Sequence, residues 1–256
     1  MRAFSIFEKS KTFLNLRVQD IVFLFSINLV SYFVEIRLHQ GDNILHEFLF
    51  KTLNVLVMIF WFIRVSPTPG NLKNYILIFS LLVSNTYPYD SGFLNNRDLE
   101  VKISMLLPML SYFLLILAFR INREIKRKEG RITFFFKFLF PFILVPVLFF
   151  YFVLYQALQQ KNDYLLMVIV YLMVLLVMIY YGININFSRN SKKLVFYSLA
   201  LITLTNELNA YNFFVEHFDW MFEIVRFLSI FSRVLLFCGF ASEDIFRQKE
   251  ATNYYH

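Results

Sequence analysis

Residues 164–185 read YLLMVIVYLMVLLVMIYYGINI, twenty-two residues from Tyr164 to Ile185 without one Asp, Glu, Lys or Arg. A helix needs about 20 mostly apolar residues to cross the hydrocarbon core of a bilayer. This stretch meets that length unaided, and it sets the class of the chain as a membrane protein. Working outward from it, seven further apolar stretches appear, near Ile21–Ile36, Ile44–Ile63, Leu72–Tyr87, Val101–Phe119, Phe134–Leu158, Leu194–Phe214 and Trp220–Phe240. The first ends in Glu35 and Arg37, and the third runs into Pro88. The expected fold is all-α: a polytopic transmembrane helix bundle of about eight spans, one membrane domain over residues 1–256.

Composition agrees. Hydrophobic residues make up 58% of the 256 and charged residues 17%, where a soluble domain carries about 45–50% and about 25%. A soluble enzyme, a disordered chain and a coiled coil are excluded. The single cysteine, Cys238, cannot form an internal disulfide and excludes a metal site built on thiolates. No internal repeat and no dividing linker interrupts the chain. The arm before the first stretch is long and mixed in charge, and no small-x-small cleavage pattern follows Val34. That stretch is therefore expected to stay as an anchor.

The cations give an independent count. With the N-terminus cytoplasmic, Arg2, Lys9, Lys11 and Arg17 fall in the first arm and Arg64 and Lys73 in the second loop. Six from Arg120 to Arg131 fall in the fourth loop, Arg189, Lys192 and Lys193 in the sixth, and Arg247 and Lys249 in the tail. These are seventeen of 25, against Arg97 and Lys161 in the outer loops. Cytoplasmic loops are enriched in Lys and Arg, and adding or dropping one middle span would destroy the alternation. Eight spans with both termini cytoplasmic are expected. The formal charge of +7 is thus spread over five cytoplasmic segments, which argues against a nucleic-acid partner. Helical spans and an uncleaved anchor point to an inner (plasma) membrane, since outer-membrane proteins are usually barrels.

Ionisable and amide groups at membrane depth are costly, and they mark packing contacts or function. The second stretch carries His46, Glu47, Lys51 and Asn54, with Glu47 and Lys51 four apart in the order that favours a helical ion pair. The third ends in Ser84 and Asn85. The seventh reads Thr205-Asn206-Glu207-Leu208-Asn209-Ala210-Tyr211-Asn212. Thr205, Asn209 and Asn212 share one helix face, Asn206 sits beside it, and Glu207 lies about 100° farther round. So many polar groups must face other helices or a cavity. The eighth holds Glu223 and Arg226, an i, i+3 pair, and the deeper Arg233. Arg233 has three fates open to it: a pair with Glu207, an anionic lipid phosphate, or snorkelling to the interface. There is no Gly-x-Ser-x-Gly, His-Glu-x-x-His, P-loop or Gly-x-Gly-x-x-Gly motif. The histidines share no motif, so neither a metal nor another cofactor is expected.

The layout of eight spans, a Lys in the second and a polar seventh resembles the YhhN-like membrane proteins, the lysoplasmalogenase family. The family's seventh-span pattern is close to Ser-Asp-x-x-x-Ala-x-Asn-x-Phe, and Ala210, Asn212 and Phe214 fall in register with it. In the third span Phe79-Ser80-Leu81 leads to Ser84-Asn85, where the family has Gly-Asp. In the second, Lys51-Thr52-Leu53-Asn54 stands where the family favours Lys-Pro. In the sixth, Tyr171 ends a similar Val-Ile-Val-Tyr. The resemblance implies a hydrolase of the vinyl ether bond of lysoplasmalogens, with two intramembrane Asp residues as its acid–base pair. Both positions are Asn here, Asn85 and Asn206, and an amide neither gives nor takes a proton near neutral pH.

Two readings follow. In an enzyme of the family's type, Asn85 and Asn206 position headgroup or water and Glu207 or Glu47 transfers protons. Lys51 or Arg233 holds the phosphate, and Asn54, Tyr171, Asn209 and Asn212 complete the substrate site. In a non-catalytic relative, the same cavity binds a membrane lipid such as a lysophospholipid without turnover. A small transporter has less to support it, because Pro141 and Pro146 break only the fifth stretch.

Overall fold

A computed structural model describes residues 12–13, 16–40, 44–85, 97–121, 140–159, 162–218 and 220–254. The side chains of Glu47 and Asn85 lie outside the described residues. About 90% of what is described is helical. The chain opens with a short antiparallel pair, β1 (Thr12–Phe13) and β2 (Leu16–Arg17), with Thr12 opposite Arg17. Helices follow as α1 (Val18–Gln40), α2 (Ile44–Val65), α3 (Leu72–Asn85) and α4 (Arg97–Ile121). Helix α5 is α-helical over Phe140–Phe149, makes a π-helical turn over Phe150–Leu154, and closes with Tyr155–Leu158. Then come α6 (Asn162–Ile183), α7 (Arg189–Phe214) and α8 (Met221–Tyr254).

Over its described residues each apolar stretch falls on one of these helices; residues 86–87 of the third and 134–139 of the fifth lie outside the described residues. Among the described residues five are long and apolar enough to cross a membrane: α1, α2, α4, α6 and α8. Helices α3 and α5 are shorter apolar helices. Helix α7 has the length, 26 residues, but carries the polar stripe. The surface fits a bilayer rather than water. Phe33, Phe60 and Leu166 are 60%, 68% and 69% exposed, which in water would be an aggregation liability and in lipid is a solvated face. The protein is an all-α integral membrane protein.

Close helix approach explains the packing. Helix α7 lies along α8, α3 along α4, α4 along α6, and α1 along α2, while α8 also touches α1 and α2. Small residues sit at these seams, as expected where lipid gives no hydrophobic drive and backbones must come near. Ser80 of α3 and Ser111 of α4 each donate to the other's carbonyl at 3.0 Å. Ser198 donates to the carbonyl of Ser232 at 2.7 Å across α7–α8. At Gly239 of α8 an added Cβ would stand 2.9 Å from the Val195 methyl of α7.

Two buried ionic contacts tie distant segments together. At the end of the bundle that holds the α2–α3 turn, Asp244 of α8 pairs with Lys73. It also accepts from Ser66 Oγ at 2.6 Å and Asn74 Nδ2 at 2.8 Å. Beside it Glu243 accepts the Ser188 backbone N–H at 2.7 Å, placing a carboxylate at the N-terminus of α7, where the helix dipole favours it. Toward the opposite end, Arg226 of α8 pairs with the fully buried Glu35 of α1. The local Glu223–Arg226 spacing did not point to that partner. Helix α8 has 34 residues, about 51 Å at 1.5 Å per residue. It outruns a hydrocarbon core of about 30 Å.

Candidate functional site: a polar cavity between five helices

The polar stripe of α7 faces inward. With α3, α4, α6 and α8 it lines a partly open cavity of about 240 Å³. Leu77, Leu81, Leu115, Ile202, Leu236 and Phe237 form apolar wall. Ser84, Ser104, Asn206, Asn209, Asn212 and Arg233 add polar groups.

Asn206 is held by two phenols. Its Oδ1 accepts from the Tyr112 hydroxyl of α4 at 2.9 Å and from the Tyr171 hydroxyl of α6 at 2.8 Å. The two phenolic oxygens are 3.3 Å apart, and the rings meet edge to face with centroids 5.8 Å apart. A buried amide is stable only with partners. Here they fix which half of the amide is used: Oδ1 is engaged twice, and Nδ2 is buried with no partner. Thr205 spends its hydroxyl on the Leu201 carbonyl of its own helix. Asn212 Oδ1 accepts the Phe218 backbone N–H at 2.9 Å, closing the end of α7. From α8, Arg233 reaches the cavity with Nη2 3.5 Å from the Ser84 carbonyl oxygen.

Five of the expected residues therefore come together: Tyr171, Asn206, Asn209, Asn212 and Arg233. Ser84 lines the same space, next to Asn85, whose side chain is outside the described residues. Lys51 and Asn54 stand elsewhere, buried on α2. The Lys51 ammonium lies 5.7 Å from the Phe222 ring centroid, a cation–π distance. His39 stacks on that ring at 3.7 Å. Asn54 Oδ1 is buried without a partner. The expected Glu47–Lys51 pair lies outside the described residues, because the Glu47 side chain does. Glu207 is half-buried on the neighbouring face of α7, is not among the residues lining the cavity, and has Oε1 buried without a partner.

Tyr112 is a site residue that the sequence reading missed. Its one available signal was general: a Tyr hydroxyl in an apolar helix needs a partner. With 15 Tyr and 34 Phe in the chain, that signal does not single it out.

Among the described lining residues Arg233 is the one with a charge, and none is a carboxylic acid or a histidine. Such a lining can attract an anion and orient oxygens by hydrogen bonds. It offers no group that exchanges a proton readily at neutral pH. Among the described residues no three of His, Cys, Asp and Glu are grouped to hold a metal. No family model matches the chain, and neither the curated proteins nor the solved structures contain a match to it.

Proposed function

We propose that the chain is an eight-span protein of an inner or plasma membrane, with both ends cytoplasmic. In this reading its cavity binds the headgroup of a single-chain phosphate-bearing amphiphile, of which a lysophospholipid is the type favoured by the sequence resemblance. The observation that carries the reading is Arg233 turned into a cavity that is apolar on one part of its wall and amide- and hydroxyl-lined on another. An arginine guanidinium suits an anionic oxygen pair because its donors form a planar fork. The volume, about 240 Å³, falls below the roughly 300–1,000 Å³ that encloses a whole small ligand. It leaves room for a headgroup, with the acyl chain lying outside along apolar helix faces.

Binding is favoured over vinyl ether hydrolysis for a chemical reason. Protonating a vinyl ether carbon and adding water needs an acid and a base. The resemblance puts its two carboxyls at Asn85 and Asn206, and the described lining supplies no other. The test is a binding series on purified protein in detergent. Lysophosphatidylglycerol, lysophosphatidylcholine and the uncharged monoacylglycerol are each titrated against the natural chain and Arg233→Gln. The reading expects thermal stabilisation by the phosphate-bearing lipids that is lost in Arg233→Gln. At 100 times Kd the stabilisation is about 2.7 kcal/mol. Equal stabilisation by monoacylglycerol, or no effect of Arg233→Gln, would reject the anion site.

A further inference from the structure

A second titratable group stands apart from the cavity. Phe196, Ala200, Thr203, Glu207, Ala210 and Phe214 are spaced four, three, four, three and four residues apart, which places them in one stripe along α7. One end of that stripe meets α5, and the other meets a cluster that α5 and α6 build together. Phe196 packs on Phe142 with ring centroids 4.8 Å apart. Ala210 and Phe214 pack against the cluster of Leu154, Leu158 and Val168. The two helices thus run side by side in the same direction. Glu207 lies eleven residues beyond Phe196, about 16 Å along the axis. Eleven residues beyond Phe142 is Val153, inside the π-helical turn. The carboxyl of Glu207 is therefore level with the one turn of α5 that departs from α-helical geometry, and α7 does touch that turn. π-turns widen a helix locally and recur at functional sites.

Among the described residues no hydrogen bond or ion pair reaches this carboxyl. Its Oε1 is buried and unpartnered, whereas the buried carboxylates Glu35, Glu243 and Asp244 each hold a cation. The surrounding titratable groups are engaged or turned elsewhere. On α5, Tyr151 and Tyr155 are exposed. On α6, the hydroxyls of Tyr164 and Tyr171 go to Asp98 and Asn206. On α8, Arg233 turns into the cavity and Arg226 binds Glu35. On α7 itself, Tyr211 reaches toward Glu216 at 3.4 Å. Glu207 lies seven residues inside the end of α7, about 10 Å. A bare carboxylate there would be an uncompensated charge in hydrocarbon, which is costly enough that such groups are paired or neutralised.

We infer that Glu207 is a proton-binding site of the bundle, carrying its proton beside the π-turn of α5. The inference shares with the proposed function only the span assigned to α7, and nothing of its ligand.

Carbodiimides test it, because the carboxylic acid O–H adds across one C=N bond. The O-acylisourea so formed rearranges by acyl transfer to nitrogen into a stable N-acylurea, detected by peptide mass spectrometry. Protein in membranes is treated at neutral pH with dicyclohexylcarbodiimide and, separately, with a water-soluble carbodiimide. The expected result is a label on Glu207 from the hydrophobic reagent alone. It should be lost in Glu207→Gln, retained in Glu207→Asp, and absent from Glu35 and Asp244. Equal labelling by the soluble reagent would put α7 in water and overturn the span as well. Failure of both reagents from acidic to alkaline pH would overturn the proton site while leaving the span intact. Protection by sodium but not by potassium would overturn it in favour of a cation site.

Discussion

Replacing Asp244 by Asn tests the clamp that closes one end of the bundle. Asp244 and Lys73 have side chains 1% and 8% exposed, so neither is solvated by water. The carboxylate also accepts from Ser66, on the turn after α2, and from Asn74, in the first turn of α3. Asp244→Asn keeps one acceptor oxygen, sets an NH2 group among donors, and leaves the Lys73 ammonium buried without its counter-ion. Breaking one side of a buried pair costs about 3–5 kcal/mol. At 2–4 °C per kcal/mol for a chain of this size, the lower figure lowers Tm by about 6–12 °C. Lys73→Met should cost a similar amount. The double change removes both charges and should cost less than the sum of the singles by about 2–3 kcal/mol. Trp61 is 2% exposed and donates its indole N–H to the Asp20 carbonyl at 2.9 Å. Its fluorescence therefore reports unfolding in mild detergent. Strict additivity of the two single changes, or an Asp244→Asn loss below about 1 kcal/mol, a size ordinary for any substitution, would refute a clamp of this kind.

Other perturbations read other parts of the bundle. Gly239→Ala places a methyl 2.9 Å from Val195 and 3.3 Å from the Ser191 carbonyl. It should cost about 1–3 kcal/mol by overpacking. Gly70→Ala, whose new methyl would be 3.7 Å from the nearest atom, should stay within about 0.5 kcal/mol of the natural chain. Tyr112→Phe and Tyr171→Phe each remove one donor from Asn206. The double leaves Asn206 Oδ1 unpaired and should lower stability by about 1–3 kcal/mol, more than either single. The Lys102 and Tyr164 hydrogen bonds at Asp98 hold that exposed carboxyl below the usual carboxylate range. A group lowered on folding stabilises above its unfolded value and loses that contribution as pH falls through the folded value. Comparing Tm at neutral and acid pH, Asp98→Asn should shrink the acid loss. An unchanged loss would show the contact to be unimportant.

Local pattern carried much of the architecture. Apolar runs placed the eight helices of the described residues, and the i, i+4, i+7 spacing of Thr205, Asn209 and Asn212 anticipated the side of α7 that lines the cavity. Arg233, seven residues from Arg226, was expected to sit deep, and it lines the cavity. Non-local pairings were not legible. Asp244 meets Ser66 across 178 residues and Arg226 meets Glu35 across 191. No period or spacing reports contacts that exist only once the helices are packed. A hydropathy reading also stopped the last helix near Phe240, although it continues through Ser242, Glu243 and Asp244 to Tyr254. Those polar residues are satisfied by the turn and by the start of α7, so they extend the helix instead of ending it. The π-turn of α5 leaves no mark beyond Pro146, four residues before it.

The measurement that bears most directly on a binding cavity combines affinity with turnover. Purified protein is incubated with an alkenyl lysophospholipid while unfolding temperature and free aldehyde are followed together, beside Arg233→Gln and the double variant Asn85→Asp/Asn206→Asp. The account predicts a rise in unfolding temperature for the natural chain, abolished in Arg233→Gln, with no aldehyde released. Aldehyde release by the natural chain would contradict it, and so would the absence of any stabilisation by lysolipids of every headgroup.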